Sequence, residues 1–504
     1  MPTPSAIPLV TTSRPDVDSN EHLAGDESRG SSETQLGKDL GDSRRAPAAA
    51  DNAVLGERGR DPTSARHEPY AEKPGGDPTG EAPGLAGALT RMVSRTSTRS
   101  NPGPPPDGGM KAWITVACAH LILMNTWGFI NTFGVFQTYY VTSLAASPSS
   151  VSWIGSVQIF LLFFIGTISG RLTDSGYFRP ILLAGSIFQI LGIFTASVSE
   201  TYWQVFLAQG ICMGIGNGLL FCPTMAVLST YFHKRRALAI GIAASGAATG
   251  GLVFPSMARE LIPRVGMGWA FRAIGFVQMG TLLISNRFLR PRLPPRQTGP
   301  WVEWAAFKDL EYTFYAAGCF FCFMGLYFPF YYIAAYCRDI VGMSFTDSLN
   351  LLLVLNGTGA IGRIGLNHIA DRIGPLTMFV PIALSCSICV LSWISASSVA
   401  GIYIWSVFYG IVAGGIQSLF PAGLTSLTTD LRKAGVRMGM VFTIQSFSVL
   451  SGPPIGGALV SAMGGQYHAA QGFAGAVLFL GTLFVMAARV VKRRKNGGRF
   501  WAKV

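Results

Sequence analysis

AWITVACAHLILMNTWGFINTFGVF, residues 112–136, contains no Asp, Glu, Lys or Arg. A helix rises about 1.5 Å per residue, so about 20 apolar residues cross a bilayer. Because hydrocarbon cannot satisfy exposed backbone groups, this stretch predicts a membrane-spanning helix. Similar apolar stretches follow at 153–170, 180–198, 203–228, 238–258, 269–289, 313–335, 346–368, 376–396, 400–424, 438–461 and 470–491. The sequence therefore predicts an all-α membrane protein with twelve transmembrane helices in two six-helix, pseudo-symmetric halves.

The net charge of +13 is unevenly distributed along the chain. Residues 1–100 hold 12 Lys/Arg and 15 Asp/Glu, which leaves 27 Lys/Arg against 11 Asp/Glu in the remainder. If the N-terminus is cytosolic and the helices alternate, 23 of those 27 basic residues fall on the cytosolic side or near the cytosolic end of a helix. The positive-inside rule explains this bias, so both termini are predicted to be cytosolic and no nucleic-acid partner is expected.

The remaining segments complete the predicted organisation. A polar, proline-rich N-terminal segment predicts a disordered cytosolic tail. The divisions are a tail at 1–108, a six-helix half at 109–289, a cytosolic linker at 290–312, a second half at 313–491 and a basic cytosolic tail at 492–504. The two CxxC pairs lie within apolar stretches, where cysteines are small packing residues. No metal and no cofactor are therefore predicted.

The two halves share a weak internal repeat. Gly210 and Asn217 of the fourth stretch recur 200 residues later as Gly410 and Gln417 of the tenth stretch. Repetition of this kind is typical of secondary transporters, in which the substrate site lies between the repeats near the bilayer midplane.

Three motifs connect the chain with a known family. GRLTDSG (Gly170–Gly176) resembles the loop signature of the major facilitator superfamily. DGGMKAW (Asp107–Trp113) and YFHKRRALAIGIAASG (Tyr231–Gly246) resemble two signatures of its monocarboxylate porter family. The likeness covers residues 107–491 and is greatest to the fungal branch, whose members include riboflavin carriers and exporters of secondary metabolites. It implies the major facilitator fold and a transport function.

Arg363 is the principal candidate for substrate binding. Charge within a membrane is costly and usually functional, and Arg363 lies deep in the eighth stretch. Asn356 and Asn367 fall on the same helix face and complete a polar stripe. A guanidinium suits a carboxylate, and the resemblance implies a substrate-binding arginine at this place. The alternative is a structural arginine bonded to loop carbonyls.

Two positions depart from the family pattern. The porters place an aspartate one turn before this arginine, where the present chain has Gly359, and a lysine in the first helix, near Val135. Since no Asp or Glu lies deep in any stretch, proton coupling and facilitated diffusion stay open as alternatives. His368 could titrate, but it lies near a helix end.

Further polar and aromatic residues of the apolar stretches are candidates for the cavity wall. Each could instead bond to a neighbouring helix. They are Asn125, Asn131, Asn217, Tyr327, Tyr331, Gln417 and Gln445.

Charged residues in the predicted cytosolic turns are candidates for gating. Asp174 follows the second stretch and Asp371 follows the eighth, at equivalent places of the two halves. We expect Asp174 to cap a neighbouring helix and to bond Arg179 or the basic fourth loop, which includes Arg235 and Arg236. The alternative is a structural turn without a gating role.

The sequence thus predicts a transporter that moves a small organic solute by alternating access. Arg363 favours a carboxylate-bearing cargo, and the resemblance implies a vitamin-like molecule or a secondary metabolite, with efflux as one direction. The alternative is a nutrient sensor that keeps the fold without transport. Paired carboxylates, histidine clusters and activated nucleophiles are not evident, so no enzyme is predicted. A monomer in the plasma membrane, in contact with the lipid bilayer, is the expected form.

Overall fold

The computed structural model describes residues 103–144, 148–296 and 299–497. This part of the chain consists of helices, turns and loops, and it contains no strand. The predicted tail at 1–108 lies outside the described residues except for 103–108. The basic tail at 492–504 is described only to residue 497.

The first six-helix half contains two breaks that separate consecutive spans. Gly176 and Gly266 have φ of +97° and +77°, which ends one helix and begins the next. The helices are α1 (Met110–Leu123, a π-helical turn Met124–Gly128 and Phe133–Ser143), α2 (Pro148–Phe164 and Gly166–Leu172) and α3 (Phe178–Ala196). They continue with α4 (Tyr202–Val205, a π-helical turn Phe206–Cys212 and Met213–Ser229), then α5 (Arg236–Ala244, continued in Gly246–Phe288 as far as Gly266) and α6 (267–288).

The second half repeats this arrangement after the linker. A short 3₁₀ turn, Trp304–Lys308, precedes it. The helices are α7 (Leu310–Leu326 and Phe328–Asp339), α8 (Phe345–Ile373), α9 (Pro375–Ser392), α10 (Val399–Ser426), α11 (Ala434–Ala462) and α12 (His468–Lys495).

Eight helical stretches of the described chain are long and apolar enough to cross a membrane. Two of them, Ser150–Ala196 and Arg236–Phe288, each contain two spans joined at a positive-φ glycine. The 29-residue helices α8 and α11 complete the predicted twelve. Both carry small and polar residues where the two halves meet, which lowers their hydropathy.

The halves meet along two equivalent helix pairs, α2 with α11 and α5 with α8. In the first pair Gly170 faces Gly435 backbone to backbone, and the hydroxyls of Thr167 and Thr443 are 2.8 Å apart. In the second pair a Cβ added at Gly241 would overlap the carbonyl oxygen of Arg363. Glycine therefore permits the close approach of helices on both sides, as is typical of membrane helix contacts.

Candidate functional site

A small cavity lies between the halves, at the centre of the bundle. Its volume is about 30 Å³, which is room for about one water molecule. The wall includes Trp127, Phe163 and Phe221 from the first half and Phe323, Tyr327, Arg363, Gln417 and Phe420 from the second. The arrangement places one cationic group within a largely aromatic enclosure.

Arg363 enters this cavity from α8 and is 2% exposed. Its Nη2 donates to Oε1 of Gln417 at 2.5 Å. Its Nη1 has no hydrogen-bond partner among the described residues, and no described carboxylate lies within 4.0 Å of the guanidinium. The guanidinium folds back over Gly359, where an added Cβ would lie 2.7 Å from Nη1. Gly359 therefore provides the space for the arginine.

The three polar residues predicted on one face of α8 have different contacts in the structure. Asn367 donates to the carbonyl of Arg363 at 2.7 Å and to Oγ of Ser418 at 2.5 Å, so it joins α8 to α10. Asn356 accepts from Nδ2 of Asn131 at 2.9 Å and thereby joins the two halves. Of the stripe, only Arg363 lines the cavity.

The other candidates are distributed through the bundle. Tyr327 and Gln417 line the cavity with Arg363. Asn125 donates to Oγ1 of Thr281 at 2.8 Å, inside the first half. The remaining three, Asn217, Tyr331 and Gln445, are buried or half-buried but do not line the cavity.

Apart from Tyr327, the aromatic wall was not predicted from the sequence. Phe221 stands two residues before Pro223, and Phe420 stands directly before Pro421. These two rings are one position out of register with the 200-residue repeat, so the repeat does not predict them. Trp127 belongs to the π-helical turn of α1, which the hydropathy pattern does not predict.

At one end of the bundle, which carries the linker and is called here the linker end, aspartates cap helices of the opposite half. The carboxylate of Asp174 accepts from the backbone amides of Gly435 and Val436, at 3.0 and 2.8 Å. Asp371 accepts from those of Ala237 and Leu238, at 2.8 and 2.9 Å. Carboxylates at helix N-termini satisfy unpaired amides and favour the helix dipole. The two caps together form what we call the linker-end seal.

The sequence suggested that Asp174 caps a neighbouring helix and bonds Arg179 or the fourth loop, and of these contacts the structure shows the cap. Its cap lies on α11, whereas Arg179 is exposed and the fourth loop bonds elsewhere. In that loop Arg235 is exposed, and Arg236 donates through Nε to the carbonyl of Phe232 at 2.8 Å. The sequence places these groups at the same end but does not show which helix end each one reaches.

Burial distinguishes Asp174 from an ordinary surface aspartate. Loss of hydration raises its pKa to about 7, although the amides of Val436 and Gly435 and the charges of Arg296 and Arg171 act in the opposite direction. The backbone carbonyl of Asp174 also accepts from the amide of Arg296 in the linker, at 2.7 Å.

Two of the sequence motifs are bound to each other. Asp107, from DGGMKAW, accepts from the amides of His233 and Lys234 in the second motif, at 2.5 and 2.6 Å. Trp113 and Phe232 make an edge-to-face ring contact at 5.5 Å. The segment before α1 thus fixes the loop that leads into α5.

Comparison with known proteins identifies the family. Residues 116–448 match the model of the Major Facilitator Superfamily. An MFS-type transporter of Gibberella zeae is 51% identical over 414 residues, which cover 81% of this chain and 94% of the relative. The aspyridones efflux protein apdF of Emericella nidulans is 34% identical over 397 residues, which cover 78% and 81%.

Solved structures agree in fold at low sequence identity. The human organic anion transporter MFSD10 has a TM-score of 0.61 and 15% identity, with 74% of this chain and 99% of that chain covered. FucP in its outward conformation has a TM-score of 0.59 and 14% identity, with coverage of 74% and 98%. Together with the sequence match, the two six-helix halves and the cavity between them show that this multi-pass membrane protein belongs to the major facilitator superfamily.

Proposed function

We propose that this transporter carries a small organic anion by alternating access, with Arg363 as the ligand for the anionic group. One observation carries the proposal: a buried guanidinium faces the cavity between the halves with Nη1 unpartnered and no described carboxylate nearby. An uncompensated buried charge costs several kcal/mol. A cargo with a carboxylate or similar group would remove that cost on binding.

The geometry around Arg363 suits an acidic cargo. Gln417 occupies Nη2, which fixes one side of the planar group, while Nη1 stays available. A guanidinium binds carboxylates through parallel hydrogen bonds, which gives direction as well as charge. This supports placing the chain in the monocarboxylate porter family, as the sequence motifs suggest.

Alternating access would use the linker-end seal. With that end cytosolic, as the distribution of basic residues favours, the structure corresponds to a state closed toward the cytosol. Opening would break the caps of Asp174 and Asp371, and Arg179, Arg235 and Arg236 would contribute charge at the same face. The chain would act as a monomer in the plasma membrane.

Relatives favour efflux as the direction of transport. One similar protein, apdF of Emericella nidulans, is named for the efflux of aspyridones. We extend this to the present chain as export of an acidic secondary metabolite. Proton coupling is not supported by the sequence, since no Asp or Glu lies deep in any of the apolar stretches.

Flux through the purified full chain tests the proposal. Proteoliposomes at pH 8 would be loaded with labelled 2-naphthoate or with decahydro-2-naphthoate, which are both ionised, and release would be measured against protein-free vesicles. We expect Arg363→Gln to reduce release of any transported acid roughly tenfold or more, because a charged hydrogen bond is lost. Arg363→Lys should retain part of the flux.

The matched control is Arg287→Gln at the exposed end of α6, where the guanidinium lies over the ring of Phe288. It should release substrate at the wild-type rate. If neither acid leaves wild-type vesicles faster than protein-free ones, the proposed function is wrong. Correct insertion without flux would then favour the sensor alternative.

A further inference from the structure

Two aromatic rings from opposite halves lie parallel to each other in the wall of the cavity. Trp127 belongs to α1 and Tyr327 to α7, and they are 7% and 5% exposed. Their ring planes differ by 4° and their centroids are 6.0 Å apart. Both line the same cavity as Arg363. A parallel pair of faces and a single cation therefore share one enclosure.

The neighbouring rings hold this orientation. Phe163 and Phe221 meet Trp127 edge to face, at 5.4 and 5.7 Å with interplanar angles of 61° and 77°. Phe323 is tilted by 55° against Tyr327 at 6.0 Å. These ring contacts brace Trp127 and Tyr327 from their own and the neighbouring helices.

Both rings also sit at irregularities of their helices. Trp127 lies in the π-helical turn Met124–Gly128, and Tyr327 lies at the break between Leu310–Leu326 and Phe328–Asp339. π-helical turns often mark functional sites. Gly128 packs directly against the backbone of Gly250, which fixes α1 on α5 beside the tryptophan.

We propose that Trp127 and Tyr327 form an aromatic clamp that selects planar, conjugated acids. This inference rests on the proposed function, since the clamp operates only if an anion reaches Arg363. A flat ring is about 3.5 Å thick, so a guest between two faces needs about 7 Å between their planes. The rings belong to different halves, whose relative movement sets that gap. A saturated, puckered acid of the same length is thicker and offers no π face to stack.

Two matched acids separate this selection from simple anion transport. The probes are 2-naphthoate and decahydro-2-naphthoate, which share a carbon skeleton and a carboxylate but differ in planarity. In proteoliposomes of the full chain at pH 8, we expect wild-type protein to prefer 2-naphthoate on the order of tenfold in flux per unit concentration, because stacking adds to area burial on both faces.

Variants assign the preference to the clamp. Trp127→Leu and Tyr327→Leu should each reduce the preference to about twofold or less, while the decahydro acid is still carried. Trp127→Phe should retain most of it, because a stacking face remains. The control is Trp153→Leu on α2, where the ring is 48% exposed and away from the cavity wall; its preference should equal that of wild type.

The outcomes are distinguishable from a failure of the proposed function. Equal wild-type transport of both acids would overturn the clamp while leaving anion transport intact. A uniform loss for both acids in Trp127→Leu and Tyr327→Leu, with the ratio unchanged, would show that the ring pair only packs the halves together. If no acid is carried, anion transport itself fails and the clamp with it.

Discussion

Two turns at the linker end perform the same structural task in different surroundings. Asp174 caps α11 and Asp371 caps α5, with hydrogen bonds of 2.8 to 3.0 Å in both cases. Just before the N-terminus of α5, the amides of His233 and Lys234 also donate to the carboxylate of Asp107, which belongs to the same half. At the end of α11 the linker supplies Glu303, whose carboxylate lies 3.5 Å from Nε of Arg437. The two halves of the chain therefore share the aspartate cap, but the charged residues around the cap differ between them.

The difference shows that similar geometry does not impose similar electrostatics. Burial acts against ionisation of Asp107, but the amides of His233, Lys234 and Arg235 outweigh it and lower the pKa of Asp107. Burial prevails at Asp174 and raises its pKa to about 7. The α11 side of the linker-end seal therefore contains a carboxylate whose protonation changes near neutral pH.

The largest effect on flux is expected from a side chain that prevents the close contact between α5 and α8. In Gly241→Val the new side chain would overlap the carbonyl oxygen of Arg363 and keep α5 from closing on α8. Overpacking of this kind typically costs about 1–3 kcal/mol, so flux should fall roughly tenfold. Gly365→Val is the control, since an added Cβ there has no neighbour within 4 Å. Equal flux in the two variants would contradict a tight α5–α8 contact.

A smaller effect is expected when either aspartate cap is removed, and its size would show which cap contributes more to closure of the linker end. Asp371→Ala and Asp174→Ala each leave two helix amides unpaired, and we expect both to populate the open linker end several-fold more than wild type. Asp371→Ala should have the larger effect at pH 7.4, because the burial cost of ionised Asp174 offsets part of its bonding. Distances between spin labels at positions 177 and 372 would measure this. A larger effect of Asp174→Ala would reverse the ranking.

The pH dependence should sharpen the comparison further. With Asp174 buried, its pKa is about 7, against the ordinary value of 3.8, chiefly because of lost hydration. The closed state therefore binds the proton more tightly than an open state with a hydrated carboxylate. Closure is favoured as the pH falls through about 7, and the gain is complete near pH 4. Between pH 8 and 6 the ratio of closed to open should rise roughly tenfold.

The same label pair at positions 177 and 372 would report this ratio. Asp174→Asn removes the titrating group and should flatten the dependence, whereas Asp371→Asn should leave the Asp174 contribution in place. A wild-type ratio that falls on acidification would show that loss of the cap outweighs the relief of burial.

The sequence identified part of the candidate site. Arg363, Tyr327 and Gln417 were predicted and line the cavity. Asn367 and Asn125 were predicted on the same grounds, but they bond to other helices. A polar side chain in a membrane helix needs a partner, and the helix alone does not show whether a neighbour or a cargo supplies it.

The sequence by itself determined twelve helices, their division into two halves and the unusual position of Arg363. Each of these follows from the composition of a single segment against the hydrocarbon around it. Only the tertiary structure decided which helix ends Asp174 and Asp371 cap, and that the rings of Trp127 and Tyr327 lie parallel to each other. Such contacts join residues more than 100 positions apart. Helical periodicity predicts the face of the helix on which a side chain lies, but it does not predict which residue of another helix that side chain contacts.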